Sequence, residues 1–303
     1  MSSATLRNIV GAARERLRAA GIEAGEAAMD AALLARHALG WDQARMIVHE
    51  IEAAPEGFSG EFERLVTRRA RREPISSIVG RREFHGLEFE VGPDVLAPRP
   101  ETEIIVDEAM AVLRGAAGCA GRDAGPADDE PPLYVDVGTG SGCLAVSLAV
   151  EFPEARLIAT DVSPRALAVA ARNAARHGVA ARIDFRHASL LDGVPGPAAL
   201  LVSNPPYIPA ADIEDLDPEV RDWEPRVAID GGPDGLDLVR ALLAAAPAVL
   251  APGGWFVMEF GFGQAEAVER LVRESPLELA RLVRDLQGIP RTVVARKAVG
   301  SRQ

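Results

Sequence analysis

An alternation of short apolar stretches with helical stretches, beginning at Leu133, is the feature that most restricts the fold of this chain. The apolar stretches have strand length, and the stretches between them have helical length and helical spacing. Such alternation is typical of a parallel sheet that helices cover on both faces. We therefore predict an α/β fold of the Rossmann-like type with a mostly parallel, doubly wound sheet. The predicted strands are 133–137, 156–161, 182–187, 199–203, 254–260 and 292–297, and the predicted helices are 143–152, 165–178, 238–250 and 264–272.

The first part of the chain has a different pattern. Its apolar residues recur at helical spacing, starting with Leu6, Ile9, Val10, Ala13 and Leu17. Residues 83–97 alternate apolar and polar residues between Gly and Pro, which indicates a hairpin. We predict a helical recognition domain at 1–75, a linker with a β-hairpin at 76–105 and the sheet domain at 106–303. Residues 115–132, rich in Gly, Pro and acids, are expected to form a flexible surface segment.

Charge and composition exclude several classes of protein. The net charge is −12, and it falls on the chain after residue 75, because acidic and basic residues balance before it. That sign repels a phosphate backbone, so we expect no direct nucleic-acid partner. Two cysteines, the lack of a signal peptide and the lack of a long apolar run predict a cytoplasmic protein with no membrane partner. Arg68, Arg69, Arg71 and Arg72 are expected to lie on a solvated helix face.

A glycine-rich turn follows the first predicted strand. Gly138, Thr139, Gly140, Ser141 and Gly142 lie between that strand and its helix, where backbone N–H groups can approach a ligand closely. Asp161 ends the next strand, where a carboxylate can accept hydrogen bonds from both hydroxyls of a ribose. This combination predicts a site for a nucleoside cofactor.

The kind of cofactor follows from spacing and charge. The glycines are spaced G-x-G-x-G, unlike dinucleotide enzymes, and no P-loop motif occurs. Asp136, directly before them, is expected to face a cationic group. S-adenosyl-L-methionine carries an ammonium and a sulfonium, and it suits an acidic domain better than NADP does. We predict this methyl donor and no metal, because the histidines and cysteines lack metal-ligand spacing.

The segment Asn204-Pro205-Pro206-Tyr207 directly follows a predicted strand whose end should share a cleft with the glycine turn. Its prolines remove N–H donors, so the segment offers mainly acceptors. The Asn204 amide oxygen and the Pro205 carbonyl can hold the two hydrogens of a planar NH₂ group, and the Tyr207 ring can stack on it. The pattern predicts methyl transfer to an amide or aniline-like nitrogen. Glu259, at another strand end, is expected to have a structural role.

On these residues the chain resembles the HemK/PrmC protein-(glutamine-N5) methyltransferases. DVGTGSG at 136–142, TDVSPRALAVAARNA at 160–174 and VSNPPYI at 202–208 are similar to that family's cofactor and catalytic motifs. EPISSIVGRREFHGLEFEV at 73–91 and LAPRPETE at 96–103 are similar to its hairpin and the segment after it. The resemblance covers nearly the whole chain, including the helical part.

The resemblance implies a substrate, the glutamine of the GGQ tripeptide in class I peptide chain release factors. It implies that the glycine turn, Asp161 and Asn204 line S-adenosyl-L-methionine, while 204–207 holds the glutamine amide, with Asn204, Pro205 and Tyr207 as the catalytic residues. At the position where the family often has an adenine-packing Trp, this chain has Leu190. A related group that modifies a ribosomal protein tends to carry serine where this chain has Pro100.

Other functions use the same motifs. An adenine-N6 methyltransferase of DNA or RNA would share the 204–207 chemistry, but it needs a basic face and stacking aromatics for a flipped base. The net charge of −12 and an aromatic content of 5% argue against it. A glutamine methyltransferase of a ribosomal protein stays open, as does a non-catalytic cofactor-binding partner of the ribosome, which the intact Asn204 and Tyr207 argue against.

Overall fold

The computed structural model describes residues 5–119 and 130–299. Within them, no helix has the combination of length and apolarity that crossing a bilayer requires. The helices are α1 (Leu6–Ala19), α2 (Ala24–Leu39), α3 (Gln43–His49), α4 (Phe58–Ala70), α5 (Ile75–Val79), α6 (Glu103–Cys119), α7 (Cys143–Glu151), α8 (Pro164–Arg176), α9 (Pro218–Arg221), α10 (Asp237–Val249) and α11 (Ala265–Glu274). Short 3₁₀ turns occupy Pro100–Thr102, Ala180–Arg182, Ile213–Asp215 and Arg226–Ala228.

The strands form a two-stranded hairpin and a larger sheet of seven strands in the order β5-β4-β3-β6-β7-β9-β8. Strands β3 to β7 are parallel to one another, and β9 runs antiparallel to both β7 and β8. This confirms the predicted mostly parallel, doubly wound sheet. The strands are β1 (Arg81–Phe84), β2 (Leu87–Glu90), β3 (Leu133–Val137), β4 (Arg156–Asp161), β5 (Ile183–His187), β6 (Ala198–Ser203), β7 (Leu250–Glu259), β8 (Leu277–Arg284) and β9 (Pro290–Lys297).

Strand register brings the predicted motifs to one edge. Val137, the last residue of β3, pairs with Thr160 of β4 on one side and with Ser203 of β6 on the other. Ser203 also pairs with Met258 of β7. The residues that follow these positions therefore leave the sheet side by side, and the Ser203 hydroxyl donates to the Val137 carbonyl at 2.8 Å.

The core has a layer on each face of the sheet, because alternate residues of a strand point to opposite faces. Tyr134 and Leu200 belong to the layer with buried residues of α6, α7 and α8. Val135 and Leu201 belong to the layer with buried residues of α10 and α11. This burial on both faces explains why the central strands are continuous apolar stretches.

Three elements differ from the sequence-based expectations. The hairpin spans 81–90 and is shorter than the predicted 83–97. Its strands turn at His85 and Gly86, which both have positive φ as a two-residue hairpin loop requires. Residues 115–119, predicted as part of a flexible segment, continue α6, and 120–129 lie outside the described residues. Strand β8 was not predicted, because its sequence LELARLVR favours a helix and its pairing with β9 overrides that propensity.

The chain divides into two compact units. The first consists of 1–81 together with 217–223, and the second consists of 82–216 and 224–303. The first is built from α1 to α5, which bury an apolar cluster that includes Leu17, Leu34 and Phe62. Sequence alone offered no sign that a segment beyond residue 200 belongs with these helices.

Arg69 corrects the expectation of a solvated arginine face on α4. Its side chain is 1% exposed, and its guanidinium contacts three carboxylates of the same unit. Nε donates to Asp30 at 2.6 Å, Nη2 to Glu26 at 2.8 Å and Nη1 to Glu219 at 2.9 Å. A buried guanidinium needs several acceptors, and its planar set of donors can serve them together. Arg72 also donates to Glu219, at 2.5 Å.

Candidate active site

The glycine turn lies between the end of β3 and the start of α7. The Gly138 and Thr139 N–H groups both donate to the Thr160 carbonyl at 2.9 Å, which holds the turn against β4. Gly142 has a φ of 82°, and a Cβ placed there would lie 3.0 Å from the Cβ of Ala170. Only glycine therefore fits where α7 begins and α8 crosses close to it.

Asp161 stands at the carboxyl end of β4, as predicted, and lines the cleft. Its Oδ2 accepts the Gly140 N–H at 2.9 Å, and its Oδ1 accepts the Ser163 N–H at 2.8 Å. Each carboxylate oxygen has a further lone pair, so the side chain can still accept from two hydroxyls. The contact with Gly140 ties this carboxylate to the glycine turn.

Asp136 does not face the cleft, contrary to expectation. It is fully buried, with Oδ2 accepting the Thr139 hydroxyl at 2.6 Å and the Ala145 N–H at 3.1 Å. Within the described part of the chain, Oδ1 has no hydrogen-bond partner. Burial raises the pKa of Asp136 to about 7. The side chain thus braces the turn and the first residues of α7, and presents no charge to a ligand.

Leu190 lines the cleft beside Ser189 and packs against the apolar layer of α10. Its φ is +50°, which is uncommon for a leucine, and its carbonyl accepts the Thr160 hydroxyl at 2.7 Å. The turn that carries Leu190 is therefore tied to β4, on the same strand as Asp161. An apolar side chain stands where the cleft can receive a flat ring.

Asn204 leaves the end of β6 and also lines the cleft. Its Nδ2 donates to the hydroxyl of Thr102 at 3.0 Å. Thr102 comes from the Pro100–Thr102 turn, is 2% exposed, and donates its own hydroxyl hydrogen to Glu259 Oε2 at 2.7 Å. With Nδ2 engaged in this way, the amide oxygen of Asn204 is the atom available to a ligand.

Tyr207 is placed differently from the prediction. Asn204, Pro205 and Pro206 line the cleft, whereas Tyr207 is not among its lining residues. The Tyr207 hydroxyl instead donates to Glu259 Oε1 at 3.1 Å. Burial and the nearby carboxylate raise the pKa of Tyr207. In this arrangement the Tyr207 hydroxyl binds a carboxylate outside the cleft lining and does not face the cavity.

Glu259 is the site residue whose part in the site the sequence did not reveal. It ends β7, is 1% exposed, and accepts hydrogen bonds from both Thr102 and Tyr207. Burial raises its pKa to about 7, while the two hydrogen bonds and Arg291 oppose that rise. A strand-end carboxylate beside the cleft was the only sequence signal, and its partners are far away in the chain.

The backbone after Pro206 is held by a tight glycine loop, 231–235. A Cβ at Gly231 would lie 2.8 Å from the Tyr207 Cα, and one at Gly235 would lie 2.2 Å from the Tyr207 carbonyl oxygen. Gln264 Nε2 donates to that same carbonyl at 2.9 Å. The course of the 204–207 backbone is therefore set by close packing and by hydrogen bonds.

The cleft is a cavity of about 460 Å³ in the second unit, within the range of small-molecule sites. Arg99 lines it, and its Nη2 donates to the buried Glu224 at 2.5 Å. In the described ranges, no cluster of His, Cys, Asp and Glu has the arrangement that would hold a metal ion. The lining residues include Val95, Arg99, Thr102, Gly138, Thr139, Gly140, Ser141, Asp161, Ser189, Leu190, Asn204, Pro205, Pro206, Val227, Leu238 and Leu242.

The cavity has the features that S-adenosyl-L-methionine requires. A carboxylate at a strand end suits a ribose, an apolar side chain suits an adenine, and the glycine turn admits close approach of a backbone. Gly142 is cradled so closely by Ala170 that a larger residue is excluded. The opposite wall offers the Asn204 amide oxygen and the proline-rich backbone as acceptors.

Known proteins match this chain over nearly its whole length. Residues 9–80 match the family described as the PrmC N-terminal domain, and residues 130–216 match the methyltransferase small domain. A release factor glutamine methyltransferase of Cereibacter sphaeroides is 44% identical over 94% of this chain and 96% of its own length. One of Geobacter sulfurreducens is 41% identical over 96% of each chain. The solved catalytic domain of hMettl16 with MAT2A 3′UTR hairpin 1 has a TM-score of 0.52, is 11% identical and covers 84% of this chain and 85% of its own, which shows a shared fold.

Proposed function

Since this chain belongs to the release factor glutamine methyltransferase family, we propose that it methylates the side-chain amide nitrogen of the glutamine in the GGQ motif of class I release factors. It is an S-adenosyl-L-methionine-dependent methyltransferase. The proposal includes a cytoplasmic location and a reaction that needs no metal. The observation that carries it is the orientation of Asn204, whose amide nitrogen is engaged by Thr102.

The cofactor site is proposed as follows. Asp161 accepts hydrogen bonds from the ribose hydroxyls, Leu190 packs on the adenine, and the glycine turn 138–142 lies against the methionine part together with Asn204. When bound, S-adenosyl-L-methionine supplies a methyl group on a positively charged sulfur. The second unit is acidic overall, which favours a cationic ligand over a phosphorylated one.

The substrate amide is a poor nucleophile, because its nitrogen lone pair is delocalised into the carbonyl. We propose that the Asn204 amide oxygen accepts one N–H of the glutamine and the Pro205 carbonyl accepts the other. Positive charge develops on the nitrogen as the new N–C bond forms and the C–S bond breaks, so both contacts strengthen in the transition state. The nitrogen then releases a proton to solvent. Because the proton leaves only after methyl transfer, the reaction needs no base to deprotonate the amide beforehand.

The rigid backbone of 204–207 supports this role. Both prolines and the glycine loop that packs on Tyr207 hold the acceptors in place before substrate binds. Preorganised dipoles stabilise a transition state without the cost of reorientation during the reaction. Tyr207 was expected to stack on the amide, but its hydroxyl is hydrogen-bonded to Glu259, so we propose it mainly supports Asn204 and Pro205.

The experiment is methyl transfer with labelled S-adenosyl-L-methionine to a purified class I release factor. We expect one methyl group on the GGQ glutamine, located by peptide mass spectrometry, and no label on a release factor with alanine at that position. Parallel reactions contain a ribosomal protein preparation and an adenine-containing oligonucleotide. Labelling of either one in place of the release factor would replace the proposed substrate with one of the two alternatives.

A further inference from the structure

We propose that Thr102 and Glu259 are positioning residues that fix which end of the Asn204 amide faces the substrate. The inference rests on the proposed function, because the amide oxygen matters only if the substrate presents N–H groups. It adds two residues, from the Pro100–Thr102 turn and from the end of β7, that the sequence had not connected to Asn204.

The argument is one of hydrogen counting. Thr102 has a single hydroxyl hydrogen, and Glu259 Oε2 accepts it at 2.7 Å. The hydroxyl oxygen can then only accept from Asn204, which it does from Nδ2 at 3.0 Å. If the Asn204 amide turned over, its oxygen would face a hydroxyl oxygen whose hydrogen is already committed. The ionised carboxylate thus selects the amide orientation through Thr102.

Burial makes this selection strong. Thr102 is 2% exposed and Glu259 is 1% exposed, so water does not offer them alternative partners. An unpaired polar group at such a place costs more than it would at the surface, and linked hydrogen bonds reinforce one another. The Tyr207 hydroxyl occupies the other carboxylate oxygen at 3.1 Å, which leaves Glu259 with a fixed direction for each oxygen.

The selection depends on the charge of Glu259. When Glu259 is protonated on Oε2, that O–H donates toward Thr102, and the Thr102 hydrogen becomes free to turn toward Asn204. When it is protonated on Oε1, the Tyr207 hydroxyl loses its acceptor instead. The charged form is favoured by Arg291 and by the two hydrogen bonds, and it is opposed by burial and by Glu101. The buried Cys143 thiol is also close enough to sense this carboxylate.

The first test is kinetic. Thr102→Val keeps the shape and removes the hydroxyl, and we expect kcat on a release factor to fall about 10- to 100-fold. Thr102→Ser restores the hydroxyl and should recover most of kcat. The affinity for S-adenosyl-L-methionine should stay within about twofold of the parent, because Thr102 acts on the amide side. Ser147→Ala is the matched control, since Ser147 of α7 is equally buried, its hydroxyl has no hydrogen-bond partner among the described residues, and it does not line the cleft.

The second test reads Asn204 directly. The chain has three asparagines, Asn8, Asn173 and Asn204, so asparagine-selective ¹⁵N labelling yields three side-chain NH₂ groups. The Asn204 signals are assigned by their loss in Asn204→Asp. We expect them to be protected from solvent exchange in the parent and in Ser147→Ala, and to lose protection in Thr102→Val. We expect kcat of the parent to rise between about pH 6 and pH 8 as Glu259 ionises, and we expect Glu259→Gln to flatten that rise.

The outcomes separate the two proposals. If the parent enzyme leaves the release factor unlabelled, the proposed function fails, while the NH₂ signals still report on the hydrogen-bond chain. If the parent methylates the glutamine but Thr102→Val retains its kcat and its protected Asn204 signals, Thr102 and Glu259 do not position Asn204. A loss in Ser147→Ala equal to that in Thr102→Val would likewise overturn the inference, because it would point to general disturbance of the core.

Discussion

Replacement of Asp161 by alanine tests the cofactor site most directly. The carboxylate is proposed to accept two ribose hydroxyls, and hydrogen bonds to a charged group are worth about 1.5–3 kcal/mol each. Because water partly replaces the lost acceptor at this half-buried position, we expect a net loss of about 1.5–3 kcal/mol, or about 10- to 150-fold in Kd. Isothermal titration calorimetry with S-adenosyl-L-methionine measures it.

The structure adds a complication that the assay must resolve. Asp161 also accepts the Gly140 N–H, so alanine could weaken binding by loosening the glycine turn alone. A cofactor analogue that lacks both ribose hydroxyls separates the two causes. If the hydroxyl contact carries the effect, the analogue should bind parent and Asp161→Ala equally. An equal loss for the cofactor and its analogue would refute the ribose assignment and leave Asp161 as a brace of the turn.

Other predictions concern chemistry, pH and folding. Asn204→Ala should lower kcat about 100-fold in single-turnover methylation and should weaken cofactor binding much less, because Asp161 and the glycine turn still hold the cofactor. Tyr207→Phe removes one hydrogen bond to Glu259 and should shift the acidic limb of the pH–kcat profile upward. The pKa of Glu259 is raised from 4.5 to about 7, so the native state retains a proton that the unfolded chain loses. The free energy of unfolding that depends on a neutral Glu259 is therefore fully present below about pH 4.5, and it is lost as the pH rises through about 7. Scanning calorimetry should show the parent Tm falling relative to that of Glu259→Gln between about pH 4.5 and pH 7. Arg69→Ala leaves buried Asp30 uncompensated and should destabilise the first unit by about 3–5 kcal/mol in urea unfolding.

Local patterns predicted most of the sheet and one wall of the site. The glycine turn and the segment from Asn204 to Tyr207 each lie within a few residues of a strand end, so order along the chain is enough to bring them to one edge. Asp161 could be placed for the same reason. These predictions needed only strand direction and the rule that parallel strands end together.

Contacts between distant residues could not be predicted in this way. The chain of hydrogen bonds from Asn204 through Thr102 to Glu259 joins residues from three separate parts of the sequence. The burial of Asp136 depends on how α7 packs, and the sequence pattern of an acidic residue before a glycine does not predict that packing. Strand β8 was missed because its pairing with β9 outweighs the helical preference of its residues.

The ion pairs of Arg69 and Arg72 with Glu219 affect how chimeras of related enzymes can be built. The first unit is discontinuous, since its helices recruit 217–223 from a stretch flanked on both sides by the second unit. A graft of 1–81 from a relative would place foreign side chains against the resident Glu219, and this partly buried carboxylate is unfavourable without its guanidinium partners. A workable chimera must transfer 1–81 and 217–223 together. The first unit is thus inherited as a pair of segments, and a chimera with a single crossover between them separates its two parts.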